Sequence, residues 1–269
     1  MRVMRAILSI IFLFGIGAFL YGVYYLGSLY NQVAHKADAI IEYKPKLTTK
    51  IYDRNGELVA NIFEGENRDY VGYDEIPARA VEALLAIEDT KFFEHHGINP
   101  DAIFRAIIKD IKARKFVEGA STITQQLVKN MVLSREKKLM RKIKEMLIAF
   151  KVESELSKEE ILERYFNQVY FGHGYYGIKT AAQGYFHKPL SQLSLKEIAI
   201  LVGLPRAPSY YDPTKNYAEA MKRADRVLTR MHELGWIDDR AFSEAIAQQP
   251  KVYDDTLTQN QAPYVVDEI

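Results

Sequence analysis

The feature that most constrains this chain is an uncharged apolar run near its N-terminus. The run extends from Ala6 to Gly27. As a helix it would rise roughly 33 Å, which is enough to cross the hydrocarbon core of a bilayer. It is too long for the core of a signal peptide and no small-x-small cleavage site closes it, so an uncleaved anchor is favoured over a cleaved signal. The sequence therefore predicts a single-pass membrane protein.

Charged residues beside this run predict its orientation. Arg2 and Arg5 precede it, whereas the next charged residue after it is Lys36. The positive-inside rule then places the N-terminus in the cytoplasm and the bulk of the chain outside. The predicted segments are a cytoplasmic tail (1–5), a transmembrane helix (6–28), a polar stalk leading away from the membrane (29–49), a main domain (50–249) and a C-terminal segment (250–269).

Composition narrows the function of the main domain. The 36 basic and 35 acidic residues nearly cancel, so the chain as a whole is not built to bind nucleic acid, and any anion site must be local. The lack of cysteine excludes disulfides, cysteine-ligated zinc and thiol nucleophiles, but it leaves the compartment open. The length allows one large domain with a substantial core.

Periodicity predicts a mainly α domain with a small β-hairpin. Residues 50–63 alternate apolar and polar side chains around Asn55 and Gly56, a pattern typical of a hairpin. From Pro77 onward the pattern is helical nearly throughout, with breaks marked by glycine and proline. In the break at residues 172–177, and at Asn167 before it, we expect residues that determine the fold.

A carboxylate interrupts the apolar stripe of the first predicted helix, which begins at Pro77 and is expected to reach about Phe93. The stripe passes through Leu84, and its next position is Glu88. Desolvation at a core position disfavours the charged form of a carboxylic acid, which suits a proton acceptor or donor. The alternatives are that the helix ends near residue 87 and leaves Glu88 solvated, or that a basic side chain pairs with it.

Four residues that follow Glu88 bear on the same candidate site. Asp89 is next to it, and Phe92 continues the stripe one helical turn later. His95 and His96 suggest a metal, but adjacent histidines on a turn rarely reach one ion, and no His-x-x-x-His pattern accompanies them. A capping or hydrogen-bonding role is therefore favoured for one of the two histidines.

A polar helix is predicted after Gly119, where Thr122 and Gln125 have the spacing of a capping box. Its polar stripe consists of Thr122, Gln126, Lys129 and Asn130, and its apolar side of Ile123, Leu127 and Met131. Uncharged Thr, Gln and Asn with one Lys suit sugar hydroxyls and amides. A capped, half-solvated helix would look similar.

A basic helix follows, with eight basic and two acidic residues between Lys129 and Lys151. Its polar side carries Lys138, Arg141, Lys142 and Glu145, and its expected core side carries Leu139, Ile143, Met146 and Phe150. Nearby cations favour the ionised form of Glu145, so the two glutamates are predicted in opposed environments. The helix could contact anionic lipid, but only a site that binds pyrophosphate explains the glutamate within the basic stripe.

Five segments in this order carry a family resemblance, and they are Glu88–Gly97, Gly119–Gln126, Arg141–Glu145, Glu160–Gly172 and Ala199–Ser209. With them the sequence closely resembles the peptidoglycan glycosyltransferase domain (glycosyltransferase family 51) of class A penicillin-binding proteins, over roughly residues 50–250. The resemblance implies a lysozyme-like, two-lobed helical domain with a cleft close to the bacterial cytoplasmic membrane, on its periplasmic side. It also implies polymerisation of lipid II into β-1,4 glycan strands, with inversion and release of undecaprenyl pyrophosphate.

The resemblance implies roles for individual residues. Glu88 would be the base that takes the proton from the acceptor hydroxyl. Glu145, with Arg141 and Lys142, would stabilise the donor pyrophosphate, directly or through a divalent cation (Mg²⁺ or Mn²⁺) held at Glu145; no organic cofactor is implied. The implied substrate-binding residues are Asp89, Phe92, His95, Ser121, Thr122, Gln126, Lys129, Asn130, Lys137, Arg141, Lys142 and Tyr170.

The implied partners are lipid II, the growing lipid-linked glycan and the bacterial membrane, with other cell-wall synthesis proteins as candidates. The apolar residues of 98–108, interleaved with basic ones up to 115, predict either a lobe that dips into the bilayer or an ordinary core helix. Ser134 and Lys137 form a Ser-x-x-Lys pattern without its companion motifs, which we interpret as chance. Residues 250–269 resemble the start of a linker to an absent transpeptidase domain, in a truncated bifunctional enzyme or, less favoured, a monofunctional transferase.

Two other functions remain open from the residues. A lysozyme-like enzyme that cleaves glycan would share the fold and the catalytic glutamate, but it would need no pyrophosphate site. An inert, membrane-anchored scaffold that binds precursors would need no base at position 88.

Overall fold

The computed structural model describes residues 2–56, 58–62, 66–113, 119–133 and 138–254. It is mainly helical, as predicted. The helices are α1 (Arg2–Val33), α2 (Asp38–Ile41), α3 (Ala78–Glu88), α4 (Pro100–Ala113), α5 (Ile123–Val132), α6 (Lys138–Glu155), α7 (Lys158–Gln168), α8 (Ile178–Phe186), α9 (Leu195–Gly203), α10 (Pro208–Tyr211), α11 (Tyr217–Glu233) and α12 (Asp239–Ala247). Short 3₁₀ turns lie at 34–37, 73–75, 190–192 and 204–206.

The predicted hairpin is confirmed. Strands β1 (Thr49–Tyr52) and β2 (Leu58–Ile62) pair antiparallel. In the turn between them, the carboxylate of Asp53 accepts the Asn55 N–H at 2.8 Å, and Gly56 has a φ of 85°, a value that favours glycine. The two-residue strands β3 (Asn67–Arg68) and β4 (Tyr175–Tyr176) pair parallel.

The amide of Asn167 fastens two distant segments together. Its Oδ1 accepts the Val71 N–H at 2.9 Å, and its Nδ2 donates to the Val71 carbonyl at 2.7 Å. The side chain is fully buried. The expectation that Asn167 determines the fold is therefore supported by its contacts.

The segment that follows the apolar run packs onto the domain, so the predicted stalk over 29–49 is wrong for residues 29–41. Leu29, Val33, Ala37 and Ile40 are buried in the main core, against α5 and α6. Their spacing of four, four and three residues places them on one helical stripe. The stalk was predicted from the mixed, polar composition of the whole segment, which does not show such a stripe. Arg164 fixes the end of this segment by donating to the carbonyls of Ile40 at 2.7 Å and Ile41 at 3.0 Å.

Helix α1 is, within the described ranges, the single helix long and apolar enough to cross a membrane. Its apolar side chains between Ile7 and Leu26 are exposed, whereas Leu29 is buried against the domain. The change from exposed to buried occurs within one continuous helix. A membrane-embedded part of α1 would therefore be joined to the domain without a flexible connection.

Two groups of helices pack around a cavity. Helices α5, α6 and α7 form one group, and α3, α9 and α11 form the other. The loop before α4 approaches α6 closely at Gly97, where an added Cβ would come within 2.8 Å of the backbone of Ala149. This contact brings the segment after α3 against the helix that carries Glu145.

Helix α6 buries a different face from the one predicted. Leu139 and Phe150 were expected in the core, but they are 76% and 54% exposed. The buried positions are Glu145, Ile148, Ala149 and Val152. These residues also have helical spacing, at i, i+3, i+4 and i+7, so periodicity alone favoured the stripe with the larger side chains. The consequence is that Glu145 faces inward.

Candidate active site

A cavity of about 510 Å³ lies between the two groups of helices. The predicted site residues that line it are Glu88, Asp89, Ser121, Thr122, Gln126, Lys129 and Glu145. They come from the end of α3, from the start and middle of α5, and from α6. The structure thus brings both glutamates of the sequence prediction into one cavity.

Glu88 lies at the end of α3, five residues before the predicted end of that helix. The chain leaves helical geometry at Asp89, which has a φ of −160°. Asp89 Oδ2 accepts the Ile123 N–H at 3.2 Å and lies 2.9 Å from His95 Nε2. These long-range bonds at Asp89 accompany the end of α3, so Phe92 does not continue the helical stripe beyond Glu88.

The surroundings of Glu88 are polar, which corrects the prediction of an apolar environment. Its Oε2 accepts a hydrogen bond from Gln126 Nε2 at 2.9 Å, and its Oε1 accepts one from Arg223 Nη2 at 3.2 Å. The side chain is 17% exposed. Because the helix ends here, the carboxylate points into the cavity and not along the core stripe. Both alternatives left open by the sequence are therefore found in part: the helix ends at Glu88, and a basic side chain, Arg223, pairs with it.

Tyr165 sets the orientation of the Gln126 amide. Its hydroxyl donates to Gln126 Oε1 at 3.2 Å, which leaves Nε2 directed at Glu88. Burial, and to a lesser extent the charge of Glu88, raises the pKa of Tyr165 well above its ordinary value, although the positive charge of Arg223 opposes this rise. The phenol therefore remains a donor, and a fixed chain of hydrogen bonds runs from Tyr165 through Gln126 to Glu88.

Phe92 and His95 support the site from behind the cavity. Phe92 is fully buried, and the Nζ of Lys158 lies 4.3 Å from its ring centroid. His95 is buried and makes the hydrogen bond to Asp89 that was expected of one of the two histidines. Neither residue lines the cavity, in contrast to the implied direct contact with substrate.

The N-terminus of α5 is fixed by the predicted capping box. Thr122 accepts the Gln125 N–H at 3.2 Å, and Gln125 Oε1 accepts the Thr122 N–H at 3.4 Å. The Thr122 hydroxyl also donates to the Gly97 carbonyl at 2.8 Å. The start of this helix is therefore held against both the loop after α3 and, through Gln125, the basic helix.

The second glutamate has the predicted cationic surroundings. Lys142 Nζ donates to Glu145 Oε2 at 2.8 Å, and Arg141 Nε lies 3.3 Å from Glu145 Oε1. Lys142 also donates to Ser121 Oγ at 2.7 Å and to Gln125 Oε1 at 3.1 Å. The Glu145 side chain is only 5% exposed, so this carboxylate is the more buried of the two. We call Arg141, Lys142 and Glu145 the basic pole.

The basic pole does not fit a resident divalent cation. Both carboxylate oxygens of Glu145 already face cations of the chain. The residues that the structure describes contain no group of three His, Cys, Asp or Glu side chains placed to hold a metal ion. A hard cation prefers several oxygen ligands, which Glu145 alone does not provide.

Of the implied substrate-binding residues that the structure describes, six do not line this cavity: Phe92, His95, Asn130, Arg141, Lys142 and Tyr170. Asn130 is exposed and does not line it. Tyr170 lines a separate cavity of about 350 Å³, together with His173 and Asp212. Lys137 lies outside the described residues, as do Ser134 and the basic residues at 114 and 115.

Sequence reasoning missed the arginines on the other side of the cavity. Arg223, Arg226 and Arg230 of α11 and Arg206 of the turn before α10 line its wall. The signal was present, since the three α11 residues have the spacing i, i+3 and i+7 and so share one helical face. No local feature of the sequence pointed from that face to Glu88.

Comparisons with known proteins identify a family for this chain. A family model described as transglycosylase matches residues 55–232. Penicillin-binding protein 1F of Bacillus subtilis (strain 168) is 44% identical over 202 residues, which cover 75% of this chain and 28% of that protein. Penicillin-binding protein 1A of Escherichia coli (strain K12) is 42% identical over 233 residues, which cover 86% of this chain and 27% of that protein.

Among solved structures, the chain is similar to penicillin-binding protein 1A from Haemophilus influenzae, with a TM-score of 0.49 and 24% identity, over 84% of this chain and 24% of that chain. This chain spans less than a third of the length of the two curated relatives described above. The match to the family model extends from the β1–β2 turn to α11, and so includes Glu88, Gln126, Glu145 and Arg223.

Proposed function

The chain belongs to the transglycosylase family, and we propose that it is a peptidoglycan glycosyltransferase of bacterial cell-wall synthesis that polymerises lipid II. The observation that carries this proposal is that Glu88 and Glu145 line one cavity, and that Lys142 of the basic pole donates hydrogen bonds to Ser121, Gln125 and Glu145 on the wall of that cavity. A carboxylate that can accept a proton and a cationic group that can bind pyrophosphate are the two parts that such a transfer needs.

Glu88 is proposed as the general base. Its carboxylate is partly open to the cavity, and Gln126 and Arg223 hold it in place by hydrogen bonds. In the proposed reaction, Glu88 takes the proton from the GlcNAc 4-hydroxyl of the acceptor as that oxygen attacks the anomeric carbon of the donor. Asp89 is proposed to have a structural role, because its carboxylate is hydrogen-bonded to His95 and to the Ile123 N–H.

The basic pole is proposed to bind the donor pyrophosphate. Pyrophosphate leaves readily once its charge is neutralised, so no strong general acid is required on that side. Lys142 is tied to Ser121, Gln125 and Glu145, which fixes the position of its charge before substrate arrives. A base in the cavity and a leaving-group site at its wall support a single displacement with inversion, without the matched second carboxylate of a retaining glycosidase.

Membrane anchorage is the proposed means of reaching a lipid-linked substrate. By length and composition α1 can span a bilayer. Three apolar side chains of α4, Phe104, Ile107 and Ile111, are 68%, 51% and 70% exposed, which favours the bilayer-dipping alternative over a core helix. We propose the cytoplasmic membrane, with the domain on the periplasmic side, from the charge distribution around α1.

The test is to incubate the detergent-solubilised chain and its Glu88→Gln variant with lipid II, and to assay both polymer and digestion of preformed glycan. Glu82→Gln, a change at a partly exposed residue on the same helix, is the matched control. Polymer from the wild type and from Glu82→Gln, but not from Glu88→Gln, is the expected result. Glycan digestion without polymer would instead identify a hydrolase, and inactivity of all three proteins would favour a scaffold.

A further inference from the structure

A second cavity, of about 350 Å³, has no part in the proposed reaction. We call the cavity that contains Glu88 the catalytic cavity and this one the second cavity. The lining of the second cavity comes from the loop after α7 and from the segment around α10, and consists of Tyr170, His173, Gly174, Ser209, Asp212 and Lys215. All of these residues except Gly174 carry a polar or charged group. The size and the lining are those of a site for a small polar molecule.

The backbone at one wall of the second cavity is held in an uncommon conformation. His173 has a φ of 53° and lies between Gly172 at 88° and Gly174 at 79°. Glycine adopts such angles freely, whereas histidine there is strained, and strained residues concentrate at binding sites. His173 Nε2 lies 3.5 Å from Asp254 Oδ1, and among the described residues it has no hydrogen-bond partner. These features favour a functional cavity over a packing irregularity.

One oxygen of the buried Asp212 carboxylate is left for a ligand. Its Oδ1 accepts hydrogen bonds from the Thr214 N–H at 3.0 Å and from the Thr214 hydroxyl at 2.7 Å. Its Oδ2 lies 3.7 Å from both His173 Nδ1 and Lys215 Nζ, which is too long for a hydrogen bond. A hydroxyl group both donates and accepts, so one placed here could donate to Asp212 and accept from Lys215.

The charges around the second cavity favour a neutral ligand. The positive charge of Lys215 offsets the negative charge of Asp212. An anion would meet the carboxylate, and the described part of the chain has no group of three His, Cys, Asp or Glu side chains placed to hold a metal ion. A molecule with several hydroxyl groups can use the donor and the acceptor together without carrying charge. The polar groups of this cavity therefore fit a sugar.

Aromatic rings in the second cavity and beside it also suit a sugar. The ring of Tyr170 packs on that of Tyr176, with the ring centroids 4.9 Å apart, which fixes it in the wall. Tyr210 directly follows Ser209, is 54% exposed and packs edge-on against Tyr211 at 5.0 Å. A sugar ring has a face of C–H groups that packs on an aromatic ring, while its hydroxyl groups bond to polar side chains around it.

The two cavities are close to each other along the chain. Pro205 and Arg206 line the catalytic cavity, and Ser209 lines the second cavity. Ser209 follows Arg206 by three positions, so their Cα atoms are at most roughly 11 Å apart. A strand of a few sugar units is therefore long enough to extend from one cavity to the other.

We propose that the second cavity is a subsite for β-1,4-linked glycan, which holds a part of the polymer outside the catalytic cavity. This inference rests on the proposed function, because that function makes such a polymer beside the subsite. Asp212 and Lys215 bind hydroxyl groups of a sugar unit, and Tyr170 packs on its ring. The subsite would keep the strand at the protein between successive additions.

Calorimetric titration of the full chain in detergent tests the subsite. The probe is a lipid-free, peptide-free hexasaccharide of alternating GlcNAc and MurNAc, whose lactyl carboxyl groups are capped as amides, as the peptide caps them in the polymer. We expect Asp212→Asn and Lys215→Gln each to raise the Kd about fivefold or more, because each removes a charge-assisted hydrogen bond. Lys179→Gln, at a partly exposed lysine of α8 that lines neither cavity, is the matched control and should stay within about twofold of the wild type.

Stability is checked by thermal unfolding of each variant. Asp212 is buried, and its change could disturb the fold, whereas the Lys215 side chain is 70% exposed. Lys215→Gln therefore keeps the test decisive if Asp212→Asn does not fold. Wild-type affinity in Lys215→Gln would overturn the inference.

The imidazole signals of three histidines report where the sugar binds. His173 lines the second cavity, His95 lies behind the catalytic cavity, and His232 lines neither. In NMR spectra of the chain labelled at histidine, we expect the hexasaccharide to shift the signals of His173 and to leave those of His95 and His232 in place. A shift of His95 without one of His173 would place the sugar in the catalytic cavity and overturn the inference.

Failure of this inference can be told from failure of the proposed function. A chain that polymerises lipid II but does not bind the hexasaccharide contradicts the subsite alone. A chain that binds the hexasaccharide at His173 but makes no polymer contradicts the proposed function, and its glycan-binding subsite would stand.

Discussion

The two carboxylates of the cavity are held in different ways. Glu145 is nearly fully buried, and its cations come from positions three and four residues earlier on its own helix. Glu88 is more open, and its partners come from α5 and α11, which are distant in sequence. One carboxylate is thus committed to orienting cations, and the other keeps access to the cavity.

Under the proposed function, this difference gives separate tasks to the two sites. A buried carboxylate that already contacts two cations is poorly placed to meet a substrate hydroxyl, but it can keep a lysine in one position. A partly exposed carboxylate with two hydrogen-bond donors can meet a hydroxyl group at the cavity surface. The predictions that follow test this division, in order of decreasing effect.

The largest effect is expected from Glu88→Gln. Loss of a general base costs on the order of 10²–10⁴ in rate, and the amide keeps the size of the side chain. We therefore expect kcat to fall by roughly a thousandfold, with the donor KM little changed. Steady-state polymerisation of lipid II measures this, with Glu82→Gln as the control. A loss below about tenfold would mean that another group takes the proton.

A smaller effect, confined to donor binding, is expected from Lys142→Ala. The change removes a cation that is fixed by Ser121, Gln125 and Glu145, so the donor KM should rise roughly tenfold or more. Lys151→Ala, on the same helix but paired with Glu155, is the control. An unchanged rate at limiting lipid II would exclude a role for Lys142 in binding pyrophosphate.

Glu145→Gln should lower both activity and stability. Without the carboxylate, Lys142 and Arg141 lose their common partner, and we expect an activity loss of about tenfold. Because both cations are about one third exposed, the loss of unfolding free energy should be only about 1–2 kcal/mol. Urea denaturation measures it, with Glu155→Gln as the control. Unaltered activity would show that Lys142 needs no carboxylate to hold its position.

The smallest effect is expected from Tyr165→Phe. Without the hydroxyl, Gln126 is less firmly oriented toward Glu88, so kcat should fall about threefold at constant KM. Because the pKa of Tyr165 is raised well above its ordinary value, the phenol stays protonated in alkaline solution, and the variant should keep the alkaline limb of the wild-type rate profile. A shift of that limb would show that Tyr165 titrates during catalysis.

The difference between local and distant partners also explains why the surroundings of Glu145 could be predicted from the sequence and those of Glu88 could not. The basic pole is local, since Arg141, Lys142 and Glu145 lie within one and a half helical turns, and the periodicity of the sequence was sufficient to group them. The capping box of α5 and the hairpin were predictable for the same reason.

The surroundings of Glu88 were not predictable from local sequence. Its partner Arg223 is separated from it by 135 residues, and the end of α3 coincides with contacts that Asp89 makes far along the chain. Similarly, Leu139 and Phe150 have the spacing of a core stripe, but tertiary packing selects the face that carries Glu145. The family resemblance implied the roles of the two glutamates, whereas the arginines were found only in the structure.

The most direct test of the division of tasks is to compare Glu88→Gln and Lys142→Ala in one assay. The donor is labelled lipid II whose GlcNAc 4-hydroxyl is capped by a sugar, so that it can donate but not accept, and the acceptor is unlabelled lipid II. The account predicts a loss of kcat with a normal donor KM for Glu88→Gln, and a raised donor KM for Lys142→Ala that saturating donor largely overcomes. The same kinetic pattern for both variants would contradict it, because the base and the pyrophosphate site would then not be separate.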